Sequence, residues 1–161
     1  MPKKNSNLID DLYCRPGFLI RRMHQLFVGI FEDECKNLNL SPPQYSVLKV
    51  LSLSPGQDQS SLARMVGLDK VTTFHIIRNL EKRKLISRVK LPDNKKRFSI
   101  ILTKSGIVML KKAQSPVNRA YSRIMAPMTV AQGKQFLKLL DLLTASLEID
   151  ARAPLEIPSR K

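Results

Sequence analysis

The run QSSLARMVGLDKVTTFHIIRNLEKRK, residues 59–84, decides how this chain is read. Gln59 to Val66 has the spacing of a short helix, and Gly67 is placed to end it in the left-handed conformation that glycine adopts without strain. Asp69 stands where a carboxylate caps a following helix, expected from Lys70 to Lys84. Two helices joined by a glycine-containing turn form a helix-turn-helix, whose second helix enters the major groove of DNA. On that helix Thr73, Ile76, Ile77 and Leu80 recur at three, four and seven residues and mark the buried side. Lys70, Thr72, Phe74, His75, Arg78, Asn79 and Lys82 are left facing outward.

Just downstream, residues 86–91 and 97–102 are rich in β-formers and flank Pro92-Asp93-Asn94-Lys95-Lys96, the pattern of a hairpin with a basic tip. A hairpin in this position is a wing that can set Lys95, Lys96 or Arg97 on the phosphate backbone or in the minor groove. Between Gln59 and Lys104 there are 12 Lys/Arg against three Asp/Glu, nine of the fifteen excess charges in the chain. Charge so concentrated is the footprint of a nucleic-acid-binding face. Lys70, Arg78 and Lys82, with the wing cations, suit phosphates, whereas Thr72, His75 and Asn79 suit base edges. Phe74 suits either the helix edge or a thymine methyl. Ser60 and Ser61 open the preceding helix and can donate to a phosphate there.

Working outward, Leu19, Ile20, Met23, Leu26, Phe27, Ile30 and Phe31 give an amphipathic helix from about Arg15 to Asn37. Ser41-Pro42-Pro43-Gln44 is a capping box with proline in the first turn, opening a helix that stops by Ser54-Pro55-Gly56. Thr103 begins another helix, which Pro116 should kink or break. Thr129 and Gln132 form a second capping box, and the helix they open is apolar around most of its circumference. Such a helix in a short chain needs a second copy to cover it, so a homodimer is expected. The fold class is mainly α with a small β-hairpin: a winged helix-turn-helix at 39–103, dimerisation helices at 1–38 and 104–150, and an irregular tail at 151–161.

A net charge of +15 directs attention to polyanionic partners. No stretch reaches the ~18 apolar residues of a membrane span, and residues 1–10 lack a signal-peptide core, so a soluble, cytoplasmic protein with no membrane partner is expected. There is no nucleophile elbow, phosphate loop, metal cluster or paired carboxylates, which argues against an enzyme and against a cofactor. Cys14 and Cys35 end one predicted helix roughly 30 Å apart, too far for a disulfide within the chain. Buried, inert thiols are expected, with redox sensing through Cys14 as the alternative.

Leu68-Asp69-Lys70 with Thr72, Leu80-Glu81-Lys82-Arg83-Lys84-Leu85-Ile86, Pro92-Asp93-Asn94-Lys95-Lys96, and Leu102-Thr103 with Gly106 together resemble the MarR family of dimeric winged-helix transcriptional regulators. The resemblance spans about residues 12–148. The family's wing usually carries Asp followed by two Arg; here Asn94, Lys95 and Lys96 align, with Asp93 as an alternative brace. Arg15 to Gln25 resembles the opening of members that control breakdown of aromatic acids. That likeness implies a repressor that leaves a palindromic operator when a small phenolic or aromatic carboxylate binds. The first-helix cations Arg15, Arg22 and His24 are its candidate carboxylate partners, and Phe27, Phe31 and Tyr45 its candidate walls.

Overall fold

In a computed structural model, residues 11–90 and 98–157 are described. After one helical turn at residues 11–13 the elements are α1 (Pro16–Glu34), α2 (Pro42–Leu53), α3 (Gln59–Val66), α4 (Lys70–Lys82), β1 (Ile86–Lys90), β2 (Phe98–Leu102), α5 (Lys104–Met125) and α6 (Val130–Ser146). Short 3-10 turns lie at Lys36–Leu38 and Glu148–Asp150. The main core gathers Phe31 from α1, Leu48 and Leu51 from α2, Ile77 and Leu80 from α4, and Val117 from α5. The hairpin closes this core from one side with Ile86 and Ile100.

The caps read from sequence are in place. Gln44 and Ser41 form the reciprocal box before α2, and Thr129 and Gln132 do so before α6. Asp69 accepts from the backbone N–H of Thr72, and Gly67 takes φ 64°; Asp58, which the sequence reading did not single out, caps α3 by accepting from the Ser61 N–H. β1 and β2 pair antiparallel from Ile86 opposite Leu102 to Lys90 opposite Phe98. The other edge of β2 is held by the loop before α3, where Ile100 exchanges backbone hydrogen bonds with Gly56 and Gln57.

Three boundaries differ from the sequence reading. α1 stops at Glu34, three residues early, because the chain tightens to a 3-10 turn and Asn39 then adopts φ 48°. α4 ends at Lys82 rather than Lys84, since Lys84 itself takes the left-handed φ of 58°. Pro116 does not break α5, which runs unbroken through it. Proline removes one N–H, so the carbonyl of Lys112 loses its helical partner. Lys112 is exposed and water can take that place, while Ala113, Val117 and Ala120 hold the helix against the core.

α5 packs mainly on α1, and an ion network joins their far ends. Arg119 donates to Glu34 at 2.7 Å, and Arg123 donates to Asp33 at 2.6 Å and to Glu34 at 2.9 Å. Residues 151–157, after the second 3-10 turn, are irregular but anchored on α3. The Glu156 N–H donates to the Arg64 carbonyl at 3.0 Å, its carboxylate lies 2.8 Å from the Arg64 guanidinium, and Leu155 rests beside Gly67.

The tightest joint lies where α5 begins. The Leu85 carbonyl accepts from the Thr103 N–H at 3.1 Å, and a Cβ on Gly106 would sit 2.1 Å from that same oxygen. Gly106→Ala should therefore lower stability by about 1–3 kcal/mol in urea unfolding, although alanine is the better helix former. An unchanged midpoint would show that this joint yields freely.

Candidate nucleic-acid interface

α4 is an amphipathic cylinder. Thr73, Ile77 and Leu80 are fully buried on one side, while Lys70, Val71, Thr72, His75, Arg78, Asn79 and Lys82 are exposed. At about 100° per residue, Val71, Arg78 and Lys82 fall on a line nearly opposite the buried stripe, with His75 beside them. Six of the seven positions read as outward are exposed, Phe74 being the exception, and Val71 joins them. Ile76 and Phe74 are half-buried, so Phe74 belongs to the edge of the helix.

Several of these side chains are already engaged. The Thr72 hydroxyl donates to Asp69 at 2.6 Å, and the buried Thr73 hydroxyl donates to the Asp69 carbonyl at 2.8 Å. The Asn79 side-chain oxygen accepts from Gln44 at 3.1 Å, leaving its NH₂ outward as a donor. The Arg78 guanidinium lies 5.6 Å from the Phe74 ring centre, a cation–π contact, and His75 meets the same ring edge-on at 5.6 Å. Ser60 is exposed at the start of α3, and the partly buried Ser61 hydroxyl accepts from Arg64 at 3.4 Å. Lys95, Lys96 and Arg97 lie outside the described residues, so the wing is represented by its strands. On β1, Arg88 donates to Glu81 at 2.9 Å and ties the wing to α4.

Arg83 lies in the Leu80-to-Ile86 run quoted from the sequence, which assigns it no contact. It donates to the carbonyls of Asn39 at 2.7 Å and Leu38 at 2.9 Å, clasping the end of α4 to the turn that follows α1. Its partners are backbone atoms more than forty positions away, and no residue pattern reports such a contact.

The effector residues separate into two groups. Phe27, Phe31 and Tyr45 form a chain of rings with centroids 6.0 and 6.1 Å apart, and Phe27 stacks on Tyr121 at 6.4 Å. Phe31 is wholly buried and serves the core. Burial pushes the phenols of Tyr45 and Tyr121 up, so both stay neutral hydrogen-bonding groups. Arg22 lies about 180° around α1 from Phe31, whereas the exposed His24 lies on the aromatic side. Arg15 caps α1 and is paired with Asp11 at 2.5 Å. One chain therefore does not bring the two arginines to the aromatic rings. A cleft of about 370 Å³ between α2, β2 and α5 is instead lined by Tyr45, Lys49, Leu102, Leu110, Lys111 and Asn118, placing two cations beside apolar walls. Cys35 is buried, and burial raises its thiol, but Cys14 is exposed because it precedes α1. The expectation that both thiols are buried holds for Cys35 alone.

Helix-turn-helix, hairpin and a basic outward helix face define a winged-helix DNA-binding regulator. Residues 40–98 match the MarR family model, so the helix-turn-helix and wing of this chain are similar to that family. The chain is 26% identical over 127 residues to the HTH-type transcriptional repressor Rv2887 of Mycobacterium tuberculosis, covering 79% of this chain and 91% of that one. It is 28% identical over 114 residues to the homoprotocatechuate degradative operon repressor of Escherichia coli, covering 71% and 77%. The PcaV transcriptional regulator of Streptomyces coelicolor, solved with its natural ligand, superposes with a TM-score of 0.75 at 26% identity, over 85% of this chain and 96% of that one. Among the described residues no helix is long and apolar enough to cross a membrane.

Two predictions concern the joints of α4. Arg83→Met should cost about 0.5–1.5 kcal/mol in urea unfolding, because the partly buried Leu38 carbonyl and the exposed Asn39 carbonyl lose a charged donor; an unchanged midpoint would reduce the clasp to a surface contact. Asp69 is held below the usual carboxylate range by the Thr72 hydroxyl and then the Thr72 N–H. Its folded value is depressed, so its contribution is complete above about pH 4 and disappears as the pH falls through that depressed value. Wild type should thus be the more stable above pH 4, with the stability gap to Asp69→Ala narrowing as the pH falls below it.

Proposed function

We propose that the protein is a homodimeric, ligand-responsive repressor that reads a two-fold symmetric operator and leaves it when a small aromatic carboxylate binds. The observation carrying this reading is the exposed face of α4, where Arg78, Lys82 and His75 stand opposite a fully buried stripe. In it, Lys70, Arg78, Lys82 and the wing cations Lys95, Lys96 and Arg97 neutralise phosphates, and His75 and Asn79 approach base edges. Ser60 donates to a phosphate at the front of α3. The unit 39–103 reads DNA; 1–38 and 104–150 hold two copies together.

Dimerisation is supported by α6 and its C-cap residue, which leave Leu137, Leu139, Leu142, Leu143 and Leu147 about half exposed. Apolar surface on this scale marks an interface rather than a solvated face. Half-sites about one helical turn apart then follow from the two-fold axis.

The nature of the effector is supported by the relatives, one a repressor of a homoprotocatechuate degradative operon and one solved with its natural ligand. A carboxylate leaving water needs a cation and further donors. Arg15 and Arg22 can supply them to the aromatic side of α1 only from the second protomer; Lys49 and Lys111 can do so within one chain. A second reading, redox control through Cys14, is supported by the exposure of that thiol.

A gel-shift on the protein's own upstream DNA, with a panel of hydroxycinnamates and benzoates, tests the proposal. At least one acid should release the DNA, and Arg15→Ala with Arg22→Ala should raise the concentration required by tenfold or more while sparing operator affinity. If the double arginine variant responds normally and Lys49→Ala with Lys111→Ala does not, the effector lies in the cleft of a single chain. Release by peroxide but by no acid would replace the ligand reading with the redox one.

A further inference from the structure

Val71 is 66% exposed on the first turn of α4. It does not sit at the margin of the buried side. Thr73, Ile77 and Leu80 point into the core, and Val71 lies about 150° around the helix from their mean direction. It therefore occupies the crest of the outward face, in line with Arg78 and Lys82. Neither packing nor helix formation accounts for it, since its side chain leaves the core and valine is a weaker helix former than Lys, Arg, Gln or Glu. Beside it, the Thr72 hydroxyl is turned back onto Asp69 at 2.6 Å. The opening turn of the helix thus presents branched hydrocarbon rimmed by Lys70, His75 and Arg78.

In the major groove one base carries an apolar group at its edge: thymine, through its C5-methyl. Recognition helices approach base edges with their N-terminal residues, which is where Val71 stands. We propose that Val71 packs on a thymine methyl and makes the operator thymine-dependent at that position in each half-site. This rests on the DNA-reading role given to α4 above. Such a contact carries sequence information without any hydrogen bond, in contrast to the phosphate contacts of the neighbouring cations. A methyl removed from water against valine accounts for about a fourfold change in affinity.

The test begins with the full chain and a random pool of DNA duplexes. The preferred sequence is selected, and each thymine in it is then replaced in turn by deoxyuridine, which lacks only the methyl. Affinities are measured by fluorescence anisotropy at one salt concentration for wild type, Val71→Ala and Val71→Ile, with thermal unfolding confirming that each variant is folded. Wild type should lose about fourfold at one thymine per half-site. Val71→Ala should bind the thymine duplex about fourfold more weakly and be indifferent to deoxyuridine there, while Val71→Ile keeps the discrimination. Indifference of wild type to every replacement, or undiminished discrimination by Val71→Ala, overturns the inference and leaves the operator reading intact. A pool without any preferred sequence overturns both.

Discussion

The carbonyl of Leu85 is the point on which the geometry of the reading helix depends. It lies just beyond α4, in the residue before β1, and it accepts from Thr103 just before α5. The Thr103 hydroxyl reaches the Lys84 carbonyl at 2.7 Å and also accepts from the Gly106 N–H, capping α5. Recognition helix, wing and the long helix that packs on α1 are thereby joined within a few ångströms. The joint requires Gly106, since any side chain there would meet the Leu85 oxygen. A joint packed this closely passes on displacement rather than absorbing it.

Three further connections run from the outer helices to the helix-turn-helix, and they differ in strength. The guanidinium ends of the pairs that Asp33 and Glu34 make with Arg119 and Arg123 are about half exposed, so solvent screens these bridges and they hold weakly. The strap from Glu156 to Arg64 adds a backbone hydrogen bond and the seat of Leu155 on Gly67, tying the end of α6 to the front of the reading unit. The Arg83 clasp is the strongest of the three. A guanidinium held by two carbonyls in the turn after α1 makes the position of α4 answer to the same helix that carries Arg15 and Arg22. Any molecule that prefers one placement of α1 over another will shift α4 by the difference in its affinities, and by no more.

Much of this was legible in the chain because its signals are local. Ser41 with Gln44, Asp69, Gly67 and Thr129 with Gln132 each declare a helix end through their own chemistry. The stripe of Thr73, Ile77 and Leu80 declares which side of α4 is wet. What was not legible depends on distance or on compensation. Arg83 and Glu156 act through backbone atoms far away in sequence, and Pro116 is tolerated because packing at Ala113, Val117 and Ala120 outweighs one missing hydrogen bond. The effector set shows a third kind of failure. Arg22 and Phe31 share a helix in sequence but stand on opposite sides of it in space, and only the helical angle separates them.

The engaged side chains also narrow what α4 can read. Asp69 already accepts from Thr72 through both its hydroxyl and its N–H, and Asn79 has its oxygen committed to Gln44. The outward face is left with the NH₂ of Asn79, the ring of His75, the cations of Arg78 and Lys82, and hydrocarbon at Val71. Donors are abundant there and acceptors few. In the reading proposed above, guanine N7 and O6, adenine N7, phosphate oxygens and the thymine methyl would find partners on this helix, whereas the amino donors of adenine and cytosine would find few acceptors. The bonds within the helix are formed before any DNA arrives, so their geometry carries no ordering cost at binding. Selectivity on this surface therefore arises as much from what α4 has already bonded to itself as from what it extends toward the groove.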